Sequence, residues 1–143
     1  MIKSRFARIA INSALAIYSI IVFWGLYIGS YYRQHLTDFK YNLYPFKTIF
    51  TYIIEFNSND KAPFVINIIG NIVLFIPFGF LLPITFQKRL NRLDKLLFAC
   101  VLGILSIEIV QLVLKIGVFD IDDVILNGTG VLLGFIILKK IEL

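Results

Sequence analysis

The sequence predicts an all-α polytopic membrane protein, a four-transmembrane-helix bundle with an amphipathic helix in its first outer loop. Three observations carry that reading. The 143 residues are 59% apolar and only 16% charged, against roughly 45–50% and about a quarter in soluble domains. A chain this short has too much surface for its volume to hide the excess, so lipid must be part of its solvent. Four long stretches are free or nearly free of charge, and basic residues gather between alternate stretches. The net charge of +5 fits an anionic membrane surface better than nucleic acid in so apolar a chain. The single cysteine, Cys100, excludes an internal disulfide and offers no metal-site spacing; it reads as a small core residue. The length suits one domain over 1–143.

The first helix spans about 9–32, because Ile9–Tyr32 carries no charge and about 20 residues cross a hydrocarbon core. Lys3, Arg5 and Arg8 before Ala14-Leu15-Ala16 look like a leader peptide. The apolar stretch ahead of that triplet is too short, however, so the helix is read as retained. The loop from Arg33 to Lys61 is rich in aromatic residues. Within it Phe46, Ile49, Phe50, Ile53 and Ile54 recur at helical spacing, with Lys47, Thr48, Thr51 and Glu55 opposite. This is an amphipathic helix over about 45–56, with Pro45 at its first position, where the missing N–H costs nothing. Two placements fit it: lying on the outer leaflet, or closing over the bundle as a lid. His35 in this loop reads as solvated, and Asn57-Ser58-Asn59-Asp60 as a turn.

The uncharged run Ala62–Gln87 gives the second span, about 63–87, kinked or ended by Pro77 and Pro83. Leu96–Leu114, interrupted only by Glu108, gives the third, about 95–117. Val124–Leu138 is short, at roughly 22 Å. It extends back through Ile121, and Lys139 and Lys140 can snorkel, so the fourth span is about 122–139. Gly25-x-x-x-Gly29 and Gly130-x-x-x-Gly134 are small-residue patterns that let helices pack closely.

Orientation follows from the basic residues. With both termini cytoplasmic, the inner segments hold Lys3, Arg5, Arg8, Lys88, Arg89, Arg92, Lys95, Lys139 and Lys140. The compact 88–95 loop is the strongest part of that signal. The inner side is then strongly basic and the outer side, which holds most of the carboxylates, acidic. This places a multi-pass protein in a membrane with N- and C-termini inside.

Polar residues inside spans are costly, so their positions are informative. Asn67 and Asn71 share a face of the second span, at depths of roughly 6 and 12 Å. Glu108 and Gln111 share a face of the third. Asp120, Asp122 and Asp123 precede or open the fourth, with Asn127 on the face of Asp123. All eight fall in the outer half of the bilayer, which suggests one outward-facing cavity with binding residues Asn67, Asn71, Glu108, Gln111, Asp120, Asp122, Asp123 and Asn127. Lys115 is the nearby cation and one candidate partner for Glu108. The plainer reading is structural: amides bonding between helices, and Asp122 and Asp123 capping a helix N-terminus. Oxygen-rich ligands would suit Mg²⁺ or Ca²⁺, on weak spacing; no other cofactor is indicated. No Ser–His or Cys–His nucleophile set can be assembled.

These residues also carry a family pattern. Asn67-Ile-Ile-Gly70-Asn71-Ile-Val-Leu74-Phe75-Ile-Pro77-Phe78-Gly79, closed by Leu82-Pro83, resembles the core motif of the VanZ-like membrane proteins. Glu108-x-x-Gln111 resembles their third-helix signature. Phe119-Asp120-Ile121-Asp122-Asp123 with Asn127, Gly130 and Gly134 resembles the last, and Tyr44-Pro45-Phe46 fits the outer-loop segment. The resemblance covers roughly residues 41 to 138. Many members look to carry an arginine just before the aspartates, where this chain has Gly117-Val118. The resemblance implies a bacterial cell membrane as the location, and a cell-envelope protein associated with glycopeptide, particularly teicoplanin, resistance, without implying a reaction.

Three functions follow as alternatives. The first is a non-enzymatic module that meets membrane lipids and binds an envelope lipid, lipid-linked precursor or lipoglycopeptide. Its amides and carboxylates would grip the headgroup, and the Phe46–Ile54 stripe would contact an acyl chain. The second is an intramembrane enzyme on a lipid-linked substrate, with Glu108 or Asp123 as acid or base, alone or with a divalent cation. The third is a structural partner in an envelope complex. Oligomeric state is left open.

Overall fold

The computed structural model describes residues 4–33, 38–56 and 61–142. Its order is α1 (Arg5–Arg33), β1 (Tyr41–Asn42), α2 (Lys47–Glu55), α3 (Ala62–Phe64), a π-helical stretch (Val65–Ile69), α4 (Gly70–Thr85), α5 (Gln87–Leu90), α6 (Leu93–Val113), β2 (Phe119–Asp120) and α7 (Ile121–Glu142). Four helices are long and apolar enough to cross a membrane, over Arg5–Tyr27, Val65–Thr85, Leu93–Val113 and Ile121–Ile141. The architecture is an all-α four-span bundle. The segments read as a turn at 57–60 and as a solvated His35 lie outside the described residues.

The bundle is built around α7. Its face toward α4 is made of glycines because the two backbones nearly touch. A Cβ on Gly130 would stand 2.2 Å from the Ile72 carbonyl oxygen, and one on Gly134 2.0 Å from that of Ile76. From the other side, a Cβ on Gly79 would stand 2.0 Å from the Val131 carbonyl oxygen. Lipid tails give helices no hydrophobic reason to associate, so close backbone approach supplies dispersion contacts instead. Gly25 behaves differently: a Cβ there would meet nothing within 4 Å, so the expected packing role of Gly25-x-x-x-Gly29 is corrected at that position. Phe75, Leu96, Ile104, Val124 and Val131 form the core between α4, α6 and α7.

Pro77 and Pro83 both lie inside α4, so neither ends it. The helix stops at Thr85, where Phe86 leaves helical geometry. At its other end it continues from the π-helical stretch, which holds Asn67; π segments widen a helix locally and recur at functional sites.

The end of α6 is a Schellman turn. Ile116 N–H donates to the Gln111 carbonyl and Lys115 N–H to that of Leu112, both at 3.0 Å. Lys115 takes the left-handed position, φ 55°, where glycine is usual. This ends α6 at Val113 rather than near Gly117.

Two short features were not expected from sequence. β1 and β2 form a two-residue parallel ladder, Tyr41 with Phe119 and Asn42 with Asp120. Tyr44–Lys47 is a tight turn closed by Lys47 N–H on the Tyr44 carbonyl, with Phe46 at φ 66°. Pro45 therefore sits in the turn before α2, not at its first helical position. Its fixed φ suits the second residue of such a turn, and the positive φ falls on the third.

Candidate functional site

The site is organised by carboxylates that hold backbone N–H groups. A helix begins with unsatisfied N–H donors, and α2 has no side-chain cap of its own. Asp122, on α7, supplies one instead. Its Oδ1 accepts Phe46 N–H at 2.5 Å, and its Oδ2 accepts Thr48 N–H at 2.8 Å and Ile49 N–H at 3.2 Å. With Lys47 N–H on Tyr44, the first turn of α2 is satisfied. Three donors plus the positive end of the α2 dipole stabilise a carboxylate that is completely buried. The expectation that Asp122 lines a cavity is therefore corrected: it is spent on the fold, capping a different helix from its own.

Asp120 works two residues earlier. Its Oδ1 accepts Asp122 N–H at 2.9 Å, the N-cap of α7, and also the Asn42 amide at 3.1 Å. Its Oδ2 accepts the Thr48 hydroxyl at 2.5 Å, and Asn42 donates to that hydroxyl oxygen as well. Asp120 N–H in turn donates to Glu108 Oε2 at 3.2 Å. The partner seen for Glu108 is thus the Asp120 N–H, while the Lys115 ammonium stands 4.8 Å from the Phe39 ring centroid.

Beside this network lies a cavity of about 660 Å³. Seven of the eight residues singled out in the sequence line it: Asn67, Asn71, Glu108, Gln111, Asp120, Asp123 and Asn127. Asn71 donates to Asp123 Oδ1 at 2.6 Å, joining α4 to α7. Gln111 donates to the Leu26 carbonyl at 3.0 Å, joining α6 to α1. Asn127 is only 5% exposed, and its Oδ1 has no hydrogen-bond partner. A buried unpaired carbonyl costs on the order of 1–3 kcal/mol, and it is the clearest vacant acceptor on the wall. Apolar lining comes from Ile21, Val22 and Trp24 of α1, Leu74 and Phe75 of α4, and Ile104 and Ile107 of α6. No basic residue lines the cavity among the described residues.

Thr48 and Tyr52, one turn apart on α2, complete the lining. They mark the polar side of α2, while Phe50, Ile53 and Ile54 point outward. The helix covers the cavity with its polar face, and its apolar stripe is exposed. The Phe46–Ile54 stripe does not line the cavity; the apolar lining comes from α1, α4 and α6. Burial, then the charges of Asp123, Asp120 and Glu55, raise the Tyr52 phenol above its usual range, keeping it a hydrogen-bond donor.

Sequence reasoning missed Asn42, Thr48 and Tyr52. The last two carried a signal, being i, i+4 on the polar face of an amphipathic helix; Asn42 carried none. Among the described residues no three His, Cys, Asp or Glu groups stand close enough to hold a metal ion.

The geometry can be set beside known proteins. The family model for VanZ/LLP1 matches residues 15–142. The chain belongs to the VanZ/LLP1 family. It is 33% identical over 132 residues to Protein VanZ of Enterococcus faecium, an alignment covering 89% of this chain and 72% of that protein. No solved structure matches it significantly. Family membership and four apolar spans together make this a VanZ-like multi-pass membrane protein. The matched region contains every residue of the cavity and of the carboxylate network, so the site belongs to the VanZ/LLP1 portion of the chain.

Proposed function

We propose that this protein binds an envelope lipid or amphiphile in the 660 Å³ cavity, without catalysing a reaction. The observation that carries this reading is the mixed lining. Asn127 Oδ1 stands unpaired in a cavity that Asn67, Glu108 and Asp123 also line, together with apolar residues of α1 (Ile21, Val22, Trp24), α4 (Leu74, Phe75) and α6 (Ile104, Ile107). A ligand matched to it has a headgroup that donates hydrogen bonds, such as a sugar, peptide or amine, joined to an apolar chain. The volume is that of a small-molecule pocket, typically about 300–1,000 Å³.

The distribution of basic residues supports an orientation with both termini cytoplasmic and the cavity at the outer leaflet. Lipid-linked precursors and lipoglycopeptides would meet the protein there, consistent with the teicoplanin association that the family resemblance implies.

The test is expression in a susceptible bacterium with the teicoplanin inhibitory concentration as readout. Wild type should raise it. Glu108→Gln and Asn127→Ala should lose most of that rise while membrane abundance stays normal by immunoblot. Unchanged resistance in both variants at normal abundance would remove the cavity from the function.

A structural reading is favoured for part of the set by a specific observation. Asp122 and Asp120 are fully engaged inside the fold. Their substitution should lower abundance, which separates them from Glu108 and Asn127.

A further inference from the structure

The end of the bundle away from the acidic network holds a second cavity, of about 310 Å³, where α4 breaks at Phe86 and α5 turns back. Its wall brings together residues far apart in sequence: Arg8 of α1 with Ile84, Thr85, Phe86, Lys88 and Arg89. Three cations surround one small space, and no acidic residue lines it. Among the described residues the ion pair at this end is Arg92 with Asp94, so none of the three is neutralised by it. All three side chains are exposed, so water and salt soften their mutual repulsion, and an anion between them would meet three donors at once.

Thr85 adds an independent sign. Ser19, Thr51, Ser106 and Thr129 each donate their hydroxyl to the carbonyl four residues back. The Thr85 hydroxyl oxygen is shut away from solvent and has no hydrogen-bond partner. It stands at the last turn of α4, among the cations. A negatively charged group with several acceptor oxygens would suit both this hydroxyl and the two guanidinium groups. Phosphate has that chemistry, and arginine forks match it in paired hydrogen bonds. Ile84 and Phe86 supply apolar surface for whatever the phosphate is attached to.

We propose that this cavity binds a phosphate group, carried by an anionic lipid or by a small soluble phosphate, through Arg8, Lys88, Arg89 and the Thr85 hydroxyl. The site is separate from the carboxylate-lined cavity, and its test does not depend on what that cavity binds.

Purified full-length protein is examined by native mass spectrometry in detergent with added phosphatidylglycerol or phosphatidylcholine. One phosphatidylglycerol should be retained in preference to phosphatidylcholine. Arg8→Ala with Arg89→Ala should lower that retention about tenfold, the loss of roughly 1.4 kcal/mol. Lys95→Ala with Lys140→Ala, at the same end but off the cavity, should change it less than about twofold by the same conversion. Thr85→Val, which keeps every charge and nearly the same shape, should weaken retention severalfold. Glycerol 3-phosphate that displaces the lipid at millimolar concentration identifies a soluble phosphate as a sufficient ligand; no displacement identifies the lipid. Three results would overturn the site: no preference for phosphatidylglycerol, equal loss in the two double variants, or full retention in Thr85→Val.

Discussion

The α4–α7 seam and α1 are both membrane-spanning, yet they are held by opposite means. Along the seam, backbone meets backbone and three glycines leave no space for a methyl group. On α1 the packing is sparse; among its described side chains Leu15 and Val22 are the buried apolar ones. It is attached at separate points instead. Tyr18 donates to the Leu74 carbonyl at 2.8 Å and its ring tilts against Phe78. Gln111 holds the Leu26 carbonyl. The difference shows which part of the cavity is fixed: Asn71, Glu108, Gln111, Asp123 and Asn127 stand on the rigid pair and α6, while part of the apolar lining stands on the helix that is only pinned. Under the proposed binding role, a headgroup would meet preorganised polar groups beside a wall that adjusts.

The largest test of this contrast compares glycines. Gly130→Ala or Gly134→Ala places a Cβ near 2 Å from a carbonyl oxygen, which no rotamer relieves because the obstacle is backbone. Overpacking of this kind costs about 3 kcal/mol or more. Either variant should fail to accumulate, or should unfold at markedly lower temperature in detergent. Gly25→Ala, with nothing within 4 Å, should stay within about 0.5 kcal/mol of wild type. Equal tolerance at Gly25 and Gly134 would break the comparison.

The parts legible in the sequence are those that lipid itself dictates. Charge-free runs disclose spans because a backbone in hydrocarbon must bond internally, and Gly130-x-x-x-Gly134 discloses a seam because glycine leaves a groove on its own helix. Gly79 was not legible as a contact, since its meaning depends on Val131 of another helix. Asp122 is the instructive failure. An aspartate in the first turn of a helix has one sequence signature whether it stabilises its own N-terminus or another's, and the choice lies in a contact 74 residues away along the chain. The convergence of Asn71, Glu108 and Asp123 could be read because each sits at a calculable depth on a helix of known rise. The cover formed by Asn42, Thr48 and Tyr52 could not, because it depends on a turn with Phe46 at positive φ.

Asp122 gives the next effect in size. Asp122→Ala leaves Phe46, Thr48 and Ile49 N–H without acceptors, at about 1–3 kcal/mol for a buried unpaired donor. The loss should be local. Amide exchange should accelerate at residues 46–50 far more than along α4 or α7, and protease should cut first within 41–56. Uniform acceleration throughout the bundle would mean that α2 and the seam unfold together. The cover would then not be a separable element.

Lys115 is the smallest and the most discriminating case, because it touches both kinds of construction. Its backbone closes α6 in the left-handed region, and its ammonium lies over Phe39 in the segment that follows α1. Lys115→Ala and Lys115→Gly both remove the cation–π contact, so the difference between them isolates the backbone. A left-handed conformation costs a residue with a Cβ about 1–2 kcal/mol, partly offset by the greater freedom of glycine in the unfolded chain. The glycine variant should therefore be more stable than the alanine variant by about 0.5–1 kcal/mol, seen as a higher midpoint in detergent unfolding. A glycine variant no more stable than alanine would show that α6 does not hold this turn against strain. The position of Asp120 beneath Glu108 would then be set from the α7 side alone, by the same rigid pair that fixes the rest of the polar wall.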